Sequence, residues 1–188
     1  MIKLLLKRVL CRPLRDRRGG IMIEFGFAMP VLILLMLGGV ELGRYVLLHQ
    51  KLDRTAMTVA DLVARVTAVT PADLDTIFTA ANLVMTPFSM GSQGAVVISS
   101  VNDQSGTPHV AWQRKGAGSL TVTSSVGVQG GNATLSDSAL VDADDAVIVG
   151  ETYYDYSPWF ITLIPSARLH HIAVYRPRLT GEITCSGC

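Results

Sequence analysis

The fold is decided by residues 12–44, which read RPLRDRRGGIMIEFGFAMPVLILLMLGGVELGR. A basic start gives way at Gly19 and Gly20 to an apolar run, and the sixteen residues from Phe25 to Val40 carry no charge. An α-helix needs about 20 mostly apolar residues to cross the hydrocarbon of a bilayer. The run reaches that length if it begins at Ile21. The sequence therefore predicts a transmembrane helix over residues 20–48.

One ionisable residue, Glu24, lies inside the apolar run, a single helical turn from its start. A carboxylate at that depth costs about 3 kcal/mol on insertion scales, so it is a candidate functional group. The alternative is that Glu24 only reaches back to the lipid headgroups, as long polar side chains near helix ends do.

The charge distribution predicts the orientation of the helix. Residues 1–19 hold seven Lys or Arg against one Asp, whereas the rest of the chain holds nine basic against fourteen acidic residues. Basic residues flanking a span stay in the cytoplasm. Residues 49–188 would then be an exported, mildly acidic head, which makes nucleic acid an improbable partner. An ordinary secretory signal is disfavoured because the apolar run is longer than 7–15 residues and Gly38 to Glu41 provides no Ala-x-Ala-like site.

The region from about Arg17 to Met57 resembles the TadE-like minor pseudopilins of the tight-adherence (Tad) pilus system. The resemblance is carried by the following residues: Arg18-Gly19, Glu24-Phe25, Pro30, and Gly39-Val40-Glu41-Leu42-Gly43-Arg44. It implies that a prepilin peptidase removes a leader, residues 1–19, by cutting after Gly19. It also implies an inner-membrane location, a periplasmic head, and partners among other pilins, pseudopilins and the inner-membrane assembly platform of a filament used in adhesion and biofilm formation.

Cleavage after Gly19 would leave Gly20 with a free, positively charged amino group. In a bundle of such helices, Glu24 of one subunit can pair with the amine of a neighbour, because each charge left alone in lipid would be costly. Phe25 would accompany Glu24 at this contact. Gly39 and Gly43 form a Gly-x-x-x-Gly pair that favours close helix–helix contact. Pro30 is expected to bend the helix, a defect that membrane helices tolerate.

Beyond the apolar run, the pattern predicts that the helix continues to about Thr70 with one apolar stripe. Its members recur every three or four residues: Leu48, Leu52, Met57 or Ala56, Val59, Leu62, Val63 and Val66. Thr70, Pro71 and Asp73 form a helix start, which predicts a second helix from Pro71 to about Met85.

After Gly91 the apolar period changes to two, which predicts strands at 95–101, 109–115, 145–156 and 167–175. A turn is expected over 102–108, and residues 116–142 are expected to form a long mobile loop with at most one irregular strand. Strands joined by turns imply an antiparallel sheet. The predicted fold class is α+β, and the packing of the long helix on this sheet in a pilin-like arrangement is what the resemblance implies.

The cysteines predict one disulfide in the exported part. Cys11 lies in the leader, whereas Cys185 and Cys188 end the chain as Cys-Ser-Gly-Cys, and disulfides persist in the periplasm. A zinc site would need His170 and His171 as well, and adjacent histidines on a strand point to opposite faces. No metal site is therefore predicted there.

No catalytic arrangement is visible, so neither enzymatic activity, a cofactor nor a small-molecule substrate is expected. Asp142 to Asp145 leave two interpretations open, a calcium loop or a charged turn. The aromatic residues Tyr153, Tyr154, Tyr156, Trp159 and Phe160 favour core packing over a partner surface. The alternative to a pseudopilin is an uncleaved single-pass anchor that holds a periplasmic binding module. An anchored hydrolase ranks last.

Overall fold

The computed structural model describes residues 20–104, 106–135, 145–160 and 164–188. The predicted leader, residues 1–19 with Gly19, and Asp142 to Asp144 lie outside the described residues. The first helix, α1, runs from Gly20 to Ala64, about 68 Å at 1.5 Å per residue. Its first half packs on nothing within the described chain, since residues 21–36 are all exposed.

The second half of α1 supplies one face of the core. The residues buried along it are Glu41, Leu48, Leu52, Thr55, Ala56, Val59, Ala60, Val63 and Ala64. The predicted stripe is confirmed at Leu48, Leu52, Val59 and Val63, with Ala56 rather than Met57 as the buried member. Four of these residues, Thr55, Ala56, Ala60 and Ala64, are small, so this part of the helix can lie close to the sheet.

The predicted helix end at Thr70 is wrong by six residues, because α1 ends at Ala64. β-branched residues at Val66, Thr67 and Val69 have low helix propensity. The chain turns, and a two-residue strand β1, Ala68–Val69, pairs in parallel with β6, Thr184–Cys185.

The second helix, α2, spans Pro71–Met85 as predicted. The Thr70 hydroxyl accepts a hydrogen bond from the Asp73 amide at 3.3 Å, and the Asp73 carboxylate accepts one from the Thr70 amide at 2.9 Å. This reciprocal pair is a capping box.

The sheet is antiparallel, as predicted, and has the order β3-β2-β4-β5. Its strands are β2 (Gly94–Gln104), β3 (Thr107–Gly116), β4 (Ala146–Tyr156) and β5 (Ala167–Tyr175). The hairpin between β2 and β3 is tighter than the predicted turn over 102–108, since Gln104 already pairs with Thr107. Gly106 has a φ of 84°, and a glycine adopts this conformation without strain.

The central strand β4 separates two apolar layers. Ile148, Tyr154 and Tyr156 face α1 and belong to the main core. Val147 and Val149 face the other way, where they pack with Val101, Val110 and Val126. Residues 117–135, the described part of the predicted mobile loop, cover this outer face. They contain one isolated bridge, between His109 and Asn132, rather than a strand.

Candidate membrane anchor and helix–head junction

The exposed first half of α1 lies within the predicted anchor, residues 20–48, whose last part packs on the head at Glu41 and Leu48. Within the described residues it is the single helix long and apolar enough to cross a membrane, with a mean hydropathy of 2.2 over its most apolar window and none of that window buried. The helix continues through Pro30. Such a helix is compatible with a single-pass membrane anchor.

The predicted assembly residues lie along this anchor without a partner inside the described chain. Glu24 is exposed and makes no hydrogen bond or ion pair with any described residue. Phe25 is 58% exposed. Space is open around Gly39 and Gly43, since a Cβ added at either would meet nothing within 4 Å. The structure therefore leaves Glu24 and the two glycines accessible to another molecule.

The junction between anchor and head is formed around Glu41, whose residue is 1% exposed. One carboxylate oxygen accepts a hydrogen bond from the Tyr156 hydroxyl, and the other accepts bonds from the amides of Trp159 (3.0 Å) and Phe160 (3.2 Å). Arg44, one turn further along α1, donates to the first oxygen at 3.3 Å. We call these five residues the helix–head latch. A buried carboxylate is tolerated when it is both paired and hydrogen-bonded.

Arg44 binds both Glu41 and the segment that follows β4. Its guanidinium donates to the Ser157 carbonyl at 3.1 Å and lies over the Trp159 ring, 4.0 Å from the centroid. A guanidinium over an aromatic face is attracted by the ring's electrons. Burial, followed by the bond to Glu41, raises the pKa of Tyr156 to about 12. Its hydroxyl therefore stays protonated and keeps donating to Glu41.

Beyond the latch, a polar seam joins α1 to β5. His49 Nδ1 lies 2.9 Å from His171 Nε2, and the other ring nitrogen of His171 faces Asp53 at 3.8 Å. Burial and then the neighbouring His49 lower the pKa of His171, against the raising effect of Asp53. One histidine has to be neutral for this hydrogen bond to form, since two imidazolium rings both donate.

Residues 19–61 match the family model described as TadE-like protein. The predicted resemblance is confirmed on this segment, which is under a quarter of the chain. No curated protein and no solved structure matches the chain. The match indicates a component associated with the Tad pilus system.

The TadE-like segment contains both the accessible Glu24 and the buried Glu41, and a role was predicted only for Glu24. A signal for Glu41 was present. Glu41 comes seven residues, or two helical turns, before Leu48 of the apolar stripe. It therefore lies on the same face of the helix as Leu48, the face that packs on the head. Its burial beside Tyr156 and Trp159 depends on the chain after β4, and no local pattern predicted that contact.

The head holds a second buried carboxylate, Glu151, on the face of β4 opposite to the TadE-like helix. It is 0% exposed and accepts hydrogen bonds from the hydroxyls of Ser124, Ser125 and Tyr153. Burial alone would raise its pKa, but these bonds together hold the pKa of Glu151 below its ordinary value. His170 Nε2 lies 3.0 Å from it. This network fastens the 117–135 loop to the sheet.

The two adjacent histidines lie on opposite faces of the sheet, as the strand pattern predicted. His170 contacts Glu151 on the outer face, and His171 contacts His49 on the helix face. Within the described part of the chain, no group of three or more potential ligands is placed to hold a metal ion. Of the possible calcium loop, only Asp145 is described, and it contacts Arg176 at 3.2 Å.

The remaining predicted residues are the two C-terminal cysteines and the aromatic cluster. Cys185 and Cys188 are joined as a disulfide, with Cα atoms 5.7 Å apart. The predicted aromatic cluster is divided by the structure. Tyr153, Tyr154 and Tyr156 are buried, as core packing requires, whereas Trp159 and Phe160 are 68% and 56% exposed.

Proposed function

We propose that the protein is a non-enzymatic minor pseudopilin of a Tad-type pilus or a related secretion filament. The observation that supports this best is Glu24, an exposed carboxylate on an unpacked apolar helix inside the segment that matches the TadE-like family. A soluble domain would gain nothing from exposing so long an apolar helix, because its burial is what stabilises folded chains. A helix bundle within a membrane or filament would cover it.

In this proposal the helix spans the bacterial inner membrane, with its N-terminus in the cytoplasm and the head in the periplasm. A prepilin peptidase removes residues 1–19, and the new amine of Gly20 pairs with Glu24 of a neighbouring subunit. Removing either charge leaves the other unpaired in a medium of low dielectric, so the pair favours association and sets the axial offset between helices. Partners are other pilins, pseudopilins and the inner-membrane assembly platform, and the filament serves adhesion.

Glu24→Gln tests the pairing. The variant should insert into the membrane as well as the wild type, because removing a charge makes the span more apolar. Leader cleavage should proceed, with the mass of the extracted protein showing loss of residues 1–19. Cross-linking of the processed protein to partner pilins, and adhesion of the cells, should be lost.

The controls separate pairing from processing. Glu24→Asp keeps the charge and should retain most of the cross-linking. Gly19→Val should leave the full-length chain uncleaved and also abolish assembly. A Glu24→Gln protein that is cleaved, cross-linked and adhesive like the wild type would exclude the pairing role. A wild-type chain that keeps its leader in a host with an active prepilin peptidase would instead favour the uncleaved anchor with a binding module.

A further inference from the structure

The membrane-proximal rim of the head exposes large apolar side chains around α1. Trp159 and Phe160 are 68% and 56% exposed, although the latch holds their backbone amides on Glu41. Val40 and Leu47 of α1, 53% and 39% exposed, lie on one side of the helix, two turns apart, with Glu41 and Arg44 between them along the axis. We call these four residues the collar. Large exposed apolar patches on a protein mark a surface that another phase or molecule covers.

The latch fixes the height of the collar along the anchor. Glu41 follows Gly20 by 21 residues, which is about 31 Å of helix at 1.5 Å per residue. The hydrocarbon core of a bilayer is about 30 Å thick. If Gly20 lies at the cytoplasmic boundary, Glu41 and the amides bound to it lie at the opposite boundary, where hydrocarbon gives way to headgroups.

The chemistry of the collar suits that boundary. Tryptophan is enriched at membrane–water interfaces, where its amphipathic ring lies at headgroup level. Arg44 lies over the Trp159 ring, 4.0 Å from its centroid, and this contact holds the ring beside Glu41 at that level. Between Val40, Leu47, Phe88 and Trp159 lies an open groove of about 420 Å³ with mainly apolar walls, which suits acyl chains better than water.

The end of the head that lies opposite the collar has a different surface composition. The β2–β3 hairpin lies at the other end of β4, since Asn102 pairs with Ala146, the first residue of β4, while Tyr156, the last, belongs to the latch. That separation is about 33 Å along the strand at 3.3 Å per residue. The described residues at the tip are polar or small, among them Asp103, Gln104 and Thr107. The exposed aromatic residues are therefore at the end next to the span.

We propose that the collar is a membrane-docking surface, with Trp159 and Phe160 inserted in the outer interfacial layer of the bilayer that α1 spans. The apolar span and the collar then form one continuous lipid-facing surface. The inserted rings fix the height and tilt of the head above the membrane. The inference rests on the proposed membrane anchoring and adds a second contact with lipid, made by the head itself.

Tryptophan fluorescence tests the proposal because the chain has two tryptophans and Trp112 is buried. Trp112→Phe leaves Trp159 as the single reporter in the full chain. The protein is placed one copy per nanodisc of phosphatidylcholine and phosphatidylglycerol. Lipids carrying bromine at shallow or deep acyl positions quench a ring at matching depth, and iodide quenches a ring in water. We expect shallow bromines to quench the Trp159 fluorescence more strongly than deep ones, and iodide to quench it little.

Two control variants complete the experiment. Each carries a single tryptophan at a position of expected depth, in a background with Trp112→Phe and Trp159→Phe. Leu32→Trp lies in the middle of the span and should be quenched by deep bromines. Thr107→Trp, at the hairpin tip, should be quenched by iodide alone. If Trp112→Phe does not fold, the difference between wild type and Trp159→Phe gives the same signal, because the Trp112 side chain is buried in both.

Each outcome decides the proposal. Collar docking is overturned if iodide quenches Trp159 and brominated lipid does not. If Leu32→Trp is still quenched by deep bromines in that case, the anchor remains supported. Absence of lipid quenching at both positions overturns the anchor as well. Loss of lipid quenching at Trp159 in nanodiscs that hold two copies would show that a second copy covers the collar, which also overturns the bilayer as its occupant.

Discussion

At the scale of single residues, the two acidic side chains of α1 differ in their surroundings. Glu24 is exposed and has no partner among the described residues, whereas Glu41 is buried with three hydrogen-bond donors and Arg44 around it. A carboxylate that is already satisfied contributes to the fold of its own chain. One that is unsatisfied in an apolar setting favours any partner that brings a positive charge. Glu41 therefore belongs to the junction within the molecule, and the exposure of Glu24 is consistent with its proposed role in contacts between molecules.

His171 gives a prediction about pH at the same scale. Its pKa is lowered in the folded chain by burial and by His49, so the unfolded chain takes up the proton more readily. The stability this group contributes is present above pH 6.5, its ordinary pKa, and is lost as pH falls through the lowered value.

Thermal unfolding of the full chain in detergent, measured from about pH 8 to about pH 5, checks this prediction. The melting temperature of the wild type should fall over this range, and His171→Gln should flatten the fall because Gln does not titrate. The charged neighbours, Asp53 and His170, are unchanged in this variant. His109→Gln, a histidine of β3 outside the seam, is the matched control and should keep the wild-type slope. A His171→Gln protein with that same slope would contradict the prediction.

At the scale of elements, α1 and β4 approach each other unusually closely. A Cβ added at Gly150 would lie 2.7 Å from the Ala56 carbonyl oxygen and 3.1 Å from the Ala60 Cβ. Thr152, two residues further along β4, donates a hydrogen bond to the Leu52 carbonyl at 3.1 Å. The small residues of the helix and this glycine together allow the backbones to meet.

Gly150→Ala should therefore separate helix and sheet. The added methyl group meets backbone atoms that cannot move aside, and overpacking of this kind costs about 1–3 kcal/mol. Denaturant unfolding of the full chain in detergent measures the loss as a lower midpoint. Gly43→Ala is the matched control, since a Cβ there meets nothing within 4 Å. Alanine also favours a helix over glycine, so this variant should not lower the midpoint. Equal midpoints for the two variants would show that the contact is looser than described.

At the scale of the whole molecule, the sequence predicted the parts that depend on local patterns. The capping residues Thr70 and Asp73 and the apolar periods placed α2 and the four strands to within a few residues. The end of α1 was missed because β1 forms only by pairing with β6, more than a hundred residues later. The two buried carboxylates, Glu41 and Glu151, were missed for the same reason. Most of their partners, such as Tyr156 and Trp159 for Glu41 and Ser124 and Ser125 for Glu151, come from distant segments, and a single sequence carries no record of such contacts.

Because the latch and Leu48 belong to the folded head, the head begins earlier in the chain than the predicted residue 49. Fragments of the chain test this. The predicted head, residues 49–188, lacks Glu41, Arg44 and Leu48, and Leu48 is 0% exposed. A fragment of residues 38–188 keeps all three. We expect the longer fragment to be more stable by at least about 2 kcal/mol, the lower end of the loss when a buried leucine is truncated.

Chemical denaturation of both fragments in the same mild detergent measures this difference. Glu41→Gln in the longer fragment isolates the carboxylate. The amide group offers one acceptor oxygen where the carboxylate offers two, so some of the donors of Tyr156, Trp159 and Phe160 are left without their partner. Leaving a buried donor unsatisfied costs about 1–3 kcal/mol, and the variant should fall between the two fragments. Equal stability of residues 38–188 and 49–188 would mean that the head folds without the latch. The helix would then be free to sink into the bilayer as far as residue 48, and Trp159 would have no fixed height above it.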